Sequence, residues 1–182
     1  MSDRFLILHG WQGSGPDHWQ TWLAGRLGKS ASYPMLPKPD APRLDDWLDV
    51  LHRELDAVSV VICHSLSCML WLHHAQQANG GNVERVLLVA PPSESVRIED
   101  IEDFFPVAAG PDDVARAAAS TRLVYAENDP YCPEGAGAVY GAPLGIGSEL
   151  IAGAGHINPD AGYGPWPALE RWCRDGGGPL NG

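Results

Sequence analysis

Ser65, Asp129 and His156 have side chains suited to one shared reaction. A serine hydroxyl is a weak nucleophile at neutral pH and needs a base to take its proton during attack. A histidine supplies that base, while an aspartate fixes its tautomer and stabilises the imidazolium that forms. Ser65 ends the run Val58-Ser59-Val60-Val61-Ile62-Cys63-His64, and Leu66-Ser67-Cys68-Met69-Leu70 begins a helical pattern at once. A strand that turns sharply into a helix lifts the turn residue above the sheet and aims the next amide into the same space. This is the layout of a nucleophile elbow, with Cys63 and Ser67 where the usual Gly-x-Ser-x-Gly pattern has glycines. Both side chains are small, as the crowded turn requires. Taken alone, the segment also reads as a buried strand followed by an N-cap serine.

The elements that must position these residues alternate between strand and helix. Strands are expected at 4–9, 32–36, 58–63, 83–90, 122–126 and 149–151, and helices at 17–27, 44–55, 66–77, 113–119, 135–140 and 166–174. Asp17 is expected to cap the first helix, whose apolar stripe is Trp19, Trp22, Leu23 and Leu27. Asn79-Gly80-Gly81 is expected to end the third. Residues 93–112 read as irregular, anchored by Phe104-Phe105. Such alternation predicts an α/β fold of about six mostly parallel strands with helices on both faces and no lid domain. Residues 1–175 are expected to form a single domain, and 176–182 a disordered tail.

Ligands of open parallel sheets bind beyond the carboxyl ends of the strands. Ser65 follows the third strand, Glu127-Asn128-Asp129-Pro130-Tyr131 the fifth, and Gly153-Ala154-Gly155-His156-Ile157-Asn158 the sixth. The chain order Ser, Asp, His is that of the α/β-hydrolase arrangement and of neither chymotrypsin nor subtilisin. The tetrahedral oxyanion of such a reaction needs two donors. The Leu66 amide is expected to supply one. Trp11 is expected to supply the other, because Gly10 lets the loop after the first strand approach the serine. Gly10, Gln12 and Tyr131 are the candidate substrate contacts, and Trp11, Trp19, Phe104, Phe105 and Trp166 are aromatic residues that line the site or fill the core.

The other histidines read as structural. His64 is expected to point to the opposite side of the turn, His73 and His74 lie on the elbow helix, and His18 stands near the start of the first helix. No His/Asp/Glu cluster has metal-ligand spacing, and no cofactor is expected. The net charge of −11 over 182 residues opposes nucleic acid and anionic membrane surfaces. Cys63, Cys68, Cys132 and Cys173 include no Cys-x-x-Cys pair, and the first apolar run, Phe5 to Leu8, is too short for a signal peptide. No apolar stretch approaches a membrane span. These features predict a cytoplasmic protein acting on a small-molecule acyl substrate; they leave the oligomeric state open.

Several segments resemble the small α/β-hydrolases of the YdeN and retinoblastoma-binding protein 9 type. They are Leu8-His9-Gly10-Trp11-Gln12-Gly13-Ser14-Gly15-Pro16-Asp17-His18-Trp19, His64-Ser65-Leu66, Asn128-Asp129-Pro130-Tyr131 and Gly155-His156-Ile157-Asn158, with Gly164-Pro165-Trp166-Pro167 beyond. The resemblance places the family's serine, aspartate and histidine on Ser65, Asp129 and His156, and implies a compact, metal-free serine hydrolase without a lid. Ser67 departs from it, since family members often carry glycine there.

Cleavage of small carboxylic esters, or of thioesters and amides, is therefore the expected function. A protein-interaction module with a vestigial site is the alternative. Leu66-Ser67-Cys68-Met69-Leu70 lacks the acid of the pocket-protein pattern Leu-x-Cys-x-Glu. Nucleotide binding is a third reading, but Gly10-Trp11-Gln12-Gly13-Ser14-Gly15 is not a dinucleotide fingerprint and no Gly-Lys-Ser/Thr follows.

Overall fold

The computed structural model describes residues 3–80 and 83–181. Six strands form one sheet: β1 (Phe5–Leu8), β2 (Ala31–Ser32), β3 (Val60–His64), β4 (Arg85–Val89), β5 (Ser120–Tyr125) and β6 (Gly147–Leu150). Their order is β2-β1-β3-β4-β5-β6, and every neighbouring pair is parallel. The helices are α1 (Trp19–Leu27), α2 (Leu44–Leu55), α3 (Leu66–Gln77), α4 (Pro111–Ala117) and α5 (Pro167–Asp175). The architecture is the α/β one expected, and no lid domain covers the strand ends among the described residues.

Side chains alternate across a strand, and the two cores follow that alternation. Leu6, Leu8, Val61, Cys63, Val86, Leu88 and Leu123 face α2, α3 and α4. Phe5, Ile7, Val60, Ile62, Leu87, Val89 and Val124 face α1 and α5. Central strands buried on both sides must be apolar throughout, as β3 and β4 nearly are. The α3 helix lies under the elbow, and Leu66 through Leu72 are all buried. Full burial of one leucine-sized side chain contributes about 1.5–3 kcal/mol, so this run fixes where the elbow sits.

Several expectations need correction. His18, not Asp17, caps α1: its Nδ1 accepts from the Gln20 N–H at 3.2 Å. Strand β2 has only two residues because the chain leaves the sheet at the proline-rich link after Tyr33. The helix expected at 135–140 is a single wide turn, Gly137–Gly141. Helix α3 stops at Gln77, with Ala78 already extended; Gly81 lies outside the described residues. The tail is docked rather than disordered over residues 176–181. Leu180 is fully buried, its carbonyl accepts from Trp166 Nε1 at 3.0 Å, and its N–H donates to Glu149 at 2.8 Å. One apolar side chain and two long-range hydrogen bonds outweigh the local glycine content.

Candidate active site

Ser65 joins β3 to α3 with φ 57° and ψ −123°. A non-glycine residue there is strained by about 1–3 kcal/mol and persists only where its surroundings hold it. The Ser65 N–H donates to the Val89 carbonyl of β4 at 2.9 Å. Leu66 is the first residue of α3, so its own N–H has no acceptor within the helix.

Ser67 is part of the restraint. Its hydroxyl oxygen accepts from the His64 N–H at 2.9 Å, and its proton is shared between the Leu8 carbonyl at 2.8 Å and the His64 carbonyl at 3.0 Å. The side chain that replaces the usual glycine therefore ties the end of β1 to the elbow. Cys63 needs no special accommodation, because its side chain enters the core facing α3. Burial raises the thiol pKa of Cys63 and Cys68 well above the ordinary value, and that of Cys132 to about 12. None of these three is a thiolate near neutral pH.

The loops after β5 and β6 meet the elbow. His156 Nε2 lies 2.9 Å from Ser65 Oγ. His156 Nδ1 lies 2.9 Å from Asp129 Oδ2 and 3.0 Å from Oδ1, while Oδ1 also accepts from the Tyr131 N–H at 2.9 Å. Both ends of the imidazole are thus in ordinary hydrogen-bond range. Asp129 is 3% exposed and His156 8%, so water competes little for these bonds.

The histidine loop is gripped by four side chains, of which Glu127 and Asn128 carried no role in the sequence reading. Glu127 accepts from the Gly153 N–H at 3.1 Å, and Asn128 Oδ1 from the Gly155 N–H at 2.8 Å. His64 Nε2 donates to the His156 carbonyl at 3.0 Å, and Trp19 Nε1 to the Ile157 carbonyl at 2.8 Å. His64 does not turn away from the site: its ring stands 5.0 Å from the His156 ring. The adjacency of Glu127 and Asn128 to Asp129 was the one available signal for their bracing role.

Gly10 meets Ser65 directly. A Cβ at residue 10 would lie 2.8 Å from Ser65 Cβ and 3.0 Å from the His64 carbonyl oxygen. His9 holds this loop through both ring nitrogens: Nε2 accepts from the Leu36 N–H at 2.9 Å, so Nδ1 donates to the Gly10 carbonyl at 2.8 Å. The Gln12 N–H is occupied by the Pro39 carbonyl and the Gly13 N–H by that of Gly10, whereas the Trp11 N–H has no backbone acceptor among the described residues.

A cavity of about 250 Å³ opens on the serine. Gly10, Trp11, Gln12, Ser65, Leu66, Tyr131 and His156 line it, with Pro92, Ile98 and Ile101. All the sequence-predicted site residues except Asp129 reach its wall, and Asp129 lies behind His156. The other aromatic candidates separate as packing requires. Trp19, Phe104 and Trp166 are core, and Phe105 lines neighbouring grooves. Among the described residues, no group of three or more His, Cys, Asp or Glu side chains is placed to hold a metal ion. No helix there is long and apolar enough to cross a membrane.

Burial makes this histidine network acid-sensitive. It lowers the pKa of His9 and His64, and that of His18 to about 4, with the neighbouring imidazoles adding to the shift for His64 and His18. Between pH 6.5 and 4 the unfolded chain binds protons that the folded chain refuses. Stability is therefore fully present above 6.5 and declines as pH falls toward 4. At about 1.4 kcal/mol per pH unit, His18 alone contributes up to about 3 kcal/mol. Urea midpoints are expected to fall by a corresponding amount between pH 7 and pH 4.5; equal midpoints would contradict this account.

The parallel sheet, the serine at the elbow and the histidine and aspartate at adjoining strand ends define an α/β-hydrolase. The chain belongs to the serine hydrolase family, whose model matches residues 5–174. Over 85 residues it is 36% identical to the hydrolase YdeN of Bacillus subtilis (strain 168); that stretch covers 42% of this chain and 45% of YdeN, so it spans about half of the curated relative. The YdeN crystal structure superposes with a TM-score of 0.80 at 21% identity, covering 93% of this chain and 95% of that one. A YdeN-like hydrolase from Pectobacterium atrosepticum superposes with a TM-score of 0.73 at 24% identity, covering 94% and 89%.

Proposed function

We propose that the protein is an esterase that cleaves small carboxylic esters, with thioesters and amides as related acyl donors, through a Ser65–His156–Asp129 triad and an acyl-enzyme. The observation that carries this reading is the unbroken chain of hydrogen bonds from Ser65 Oγ through His156 to Asp129, 2.9 Å on each side of the imidazole.

His156 Nε2 takes the serine proton as Oγ attacks the carbonyl carbon, and Asp129 stabilises the imidazolium. The carbonyl oxygen becomes an oxyanion held by the Leu66 and Trp11 amides; loss of one such donor costs about 3 kcal/mol. Collapse breaks the bond to the alcohol oxygen, which receives the proton from His156. Water, deprotonated by His156, then attacks the acyl carbon, releases the carboxylic acid and restores Ser65. Gly10, Gln12 and Tyr131 contact the substrate in this scheme. No cofactor takes part. The four free cysteines accord with a cytoplasmic setting.

A fluorophosphonate probe is expected to label the wild-type protein at Ser65 and to spare Ser65→Ala. Equal labelling of both would refute the assignment. The vestigial-site alternative gains no support from a hydrogen-bond chain this complete.

A further inference from the structure

We propose that His18 is a specificity residue whose Nε2–H hydrogen-bonds an oxygen on the alcohol half of the ester, so that esters of hydroxylated alcohols are preferred over esters of plain alkyl alcohols. This rests on the esterase reading of Ser65 and extends it to a substrate class.

His18 is 5% exposed, yet it lines the same cavity as Ser65 and His156. Its tautomer is set by α1. Nδ1 accepts from the Gln20 N–H, so the single proton of the neutral ring resides on Nε2. That nitrogen has no partner among the described residues, whereas His9 and His64 each spend Nε2 on a backbone group. The Nε2–H therefore faces the cavity free to donate to a ligand or water.

The location indicates which half of the substrate it meets. The His18 ring stands 4.8 Å from the His64 ring, which stands 5.0 Å from the His156 ring. His18 is therefore on the side of the general base. The leaving alcohol must also sit there, because it receives its proton from His156 Nε2. The wall on that side continues with Asn158 and Asp160. Asn158 Oδ1 is taken by the Ala161 N–H, which leaves its amide protons as donors. Asp160 adds an exposed carboxylate. Two donors and one acceptor match hydroxyl groups, which both donate and accept, and the carboxylate opposes an anionic leaving group. Burial and nearby His156 keep His18 uncharged near neutral pH, so it offers a hydrogen bond rather than a cation.

The test compares kcat/KM for glyceryl monobutyrate and propyl butyrate, which share an acyl group. Wild type is expected to favour the glyceryl ester by about tenfold, the reach of one or two neutral hydrogen bonds. His18→Ala withdraws both the donor and the α1 cap, and its ratio is expected to fall to near one. The ratio does not depend on how much enzyme is folded. Asp160→Ala, at an exposed position, is expected to lower the ratio by a smaller factor. A wild-type ratio near one, or an unchanged ratio in His18→Ala, would overturn the proposal while leaving the esterase intact. Absence of turnover of both esters, together with an unlabelled Ser65, would remove both readings.

Discussion

Asp129→Asn is expected to lower kcat for ester hydrolysis by about four orders of magnitude, the scale set when a triad histidine is held in the wrong tautomer. The Tyr131 N–H, 2.9 Å from Oδ1, dictates how the new amide lies. It keeps the amide oxygen at that position and forces the NH2 group to the place of Oδ2, which now faces His156 Nδ1 at 2.9 Å. Two donors cannot share that contact, and Oδ1, 3.0 Å from Nδ1, is already engaged by the Tyr131 N–H. The imidazole gives up its Nδ1 proton, carries the proton on Nε2 instead, and can no longer receive one from Ser65. The side chain keeps its size and most of its bonds, so the thermal midpoint should move little. Deletion of the whole network would lower both quantities. A variant with near-normal kcat would show that Asp129 does not orient the base.

The second large effect is expected for Gly10→Ala. The added methyl group would lie 2.8 Å from Ser65 Cβ, 3.0 Å from the His64 carbonyl oxygen and 3.3 Å from Ser65 Oγ. The first two contacts involve groups that cannot swing aside, since Ser65 already occupies a strained backbone conformation. The loop itself must retreat, and the Trp11 amide retreats with it. A fall in kcat of about 10²–10³-fold is expected for one misplaced oxyanion donor, with about 1–3 kcal/mol of overpacking loss in stability. Gly25→Ala is the volume control: nothing lies within 4 Å of a Cβ there, and it sits in α1. It should stabilise by about 0.5–1 kcal/mol. If Gly10→Ala behaved like Gly25→Ala, the close approach of the two loops would be unimportant to the reaction.

The alternation of strand and helix was legible in the chain because it rests on local periodicity. The bounds of α2 and α3 match the expected ones residue for residue. The position of the chemically capable residues was also legible, since a parallel sheet delivers every strand's carboxyl end to one edge. Less legible were features that a neighbouring element decides. Asp17 carries the better capping side chain by type, yet His18 caps α1 because the helix starts one residue later. The glycine-rich tail reads as loose, but Leu180 finds a buried site between Trp166 and Glu149.

From its sequence alone, the chain determined an α/β sheet and the set of side chains brought to its active edge, because both follow from spacing along one stretch of backbone. Only the tertiary structure decided how that edge is held. Ser67 reaches Leu8 across 59 positions and His64 reaches His156 across 92. The open nitrogen of His18 has meaning only beside a cavity whose other walls come from remote segments. Hydrogen bonds between distant residues leave no periodic trace in the chain, so their partners appear only when folding brings the strand ends together.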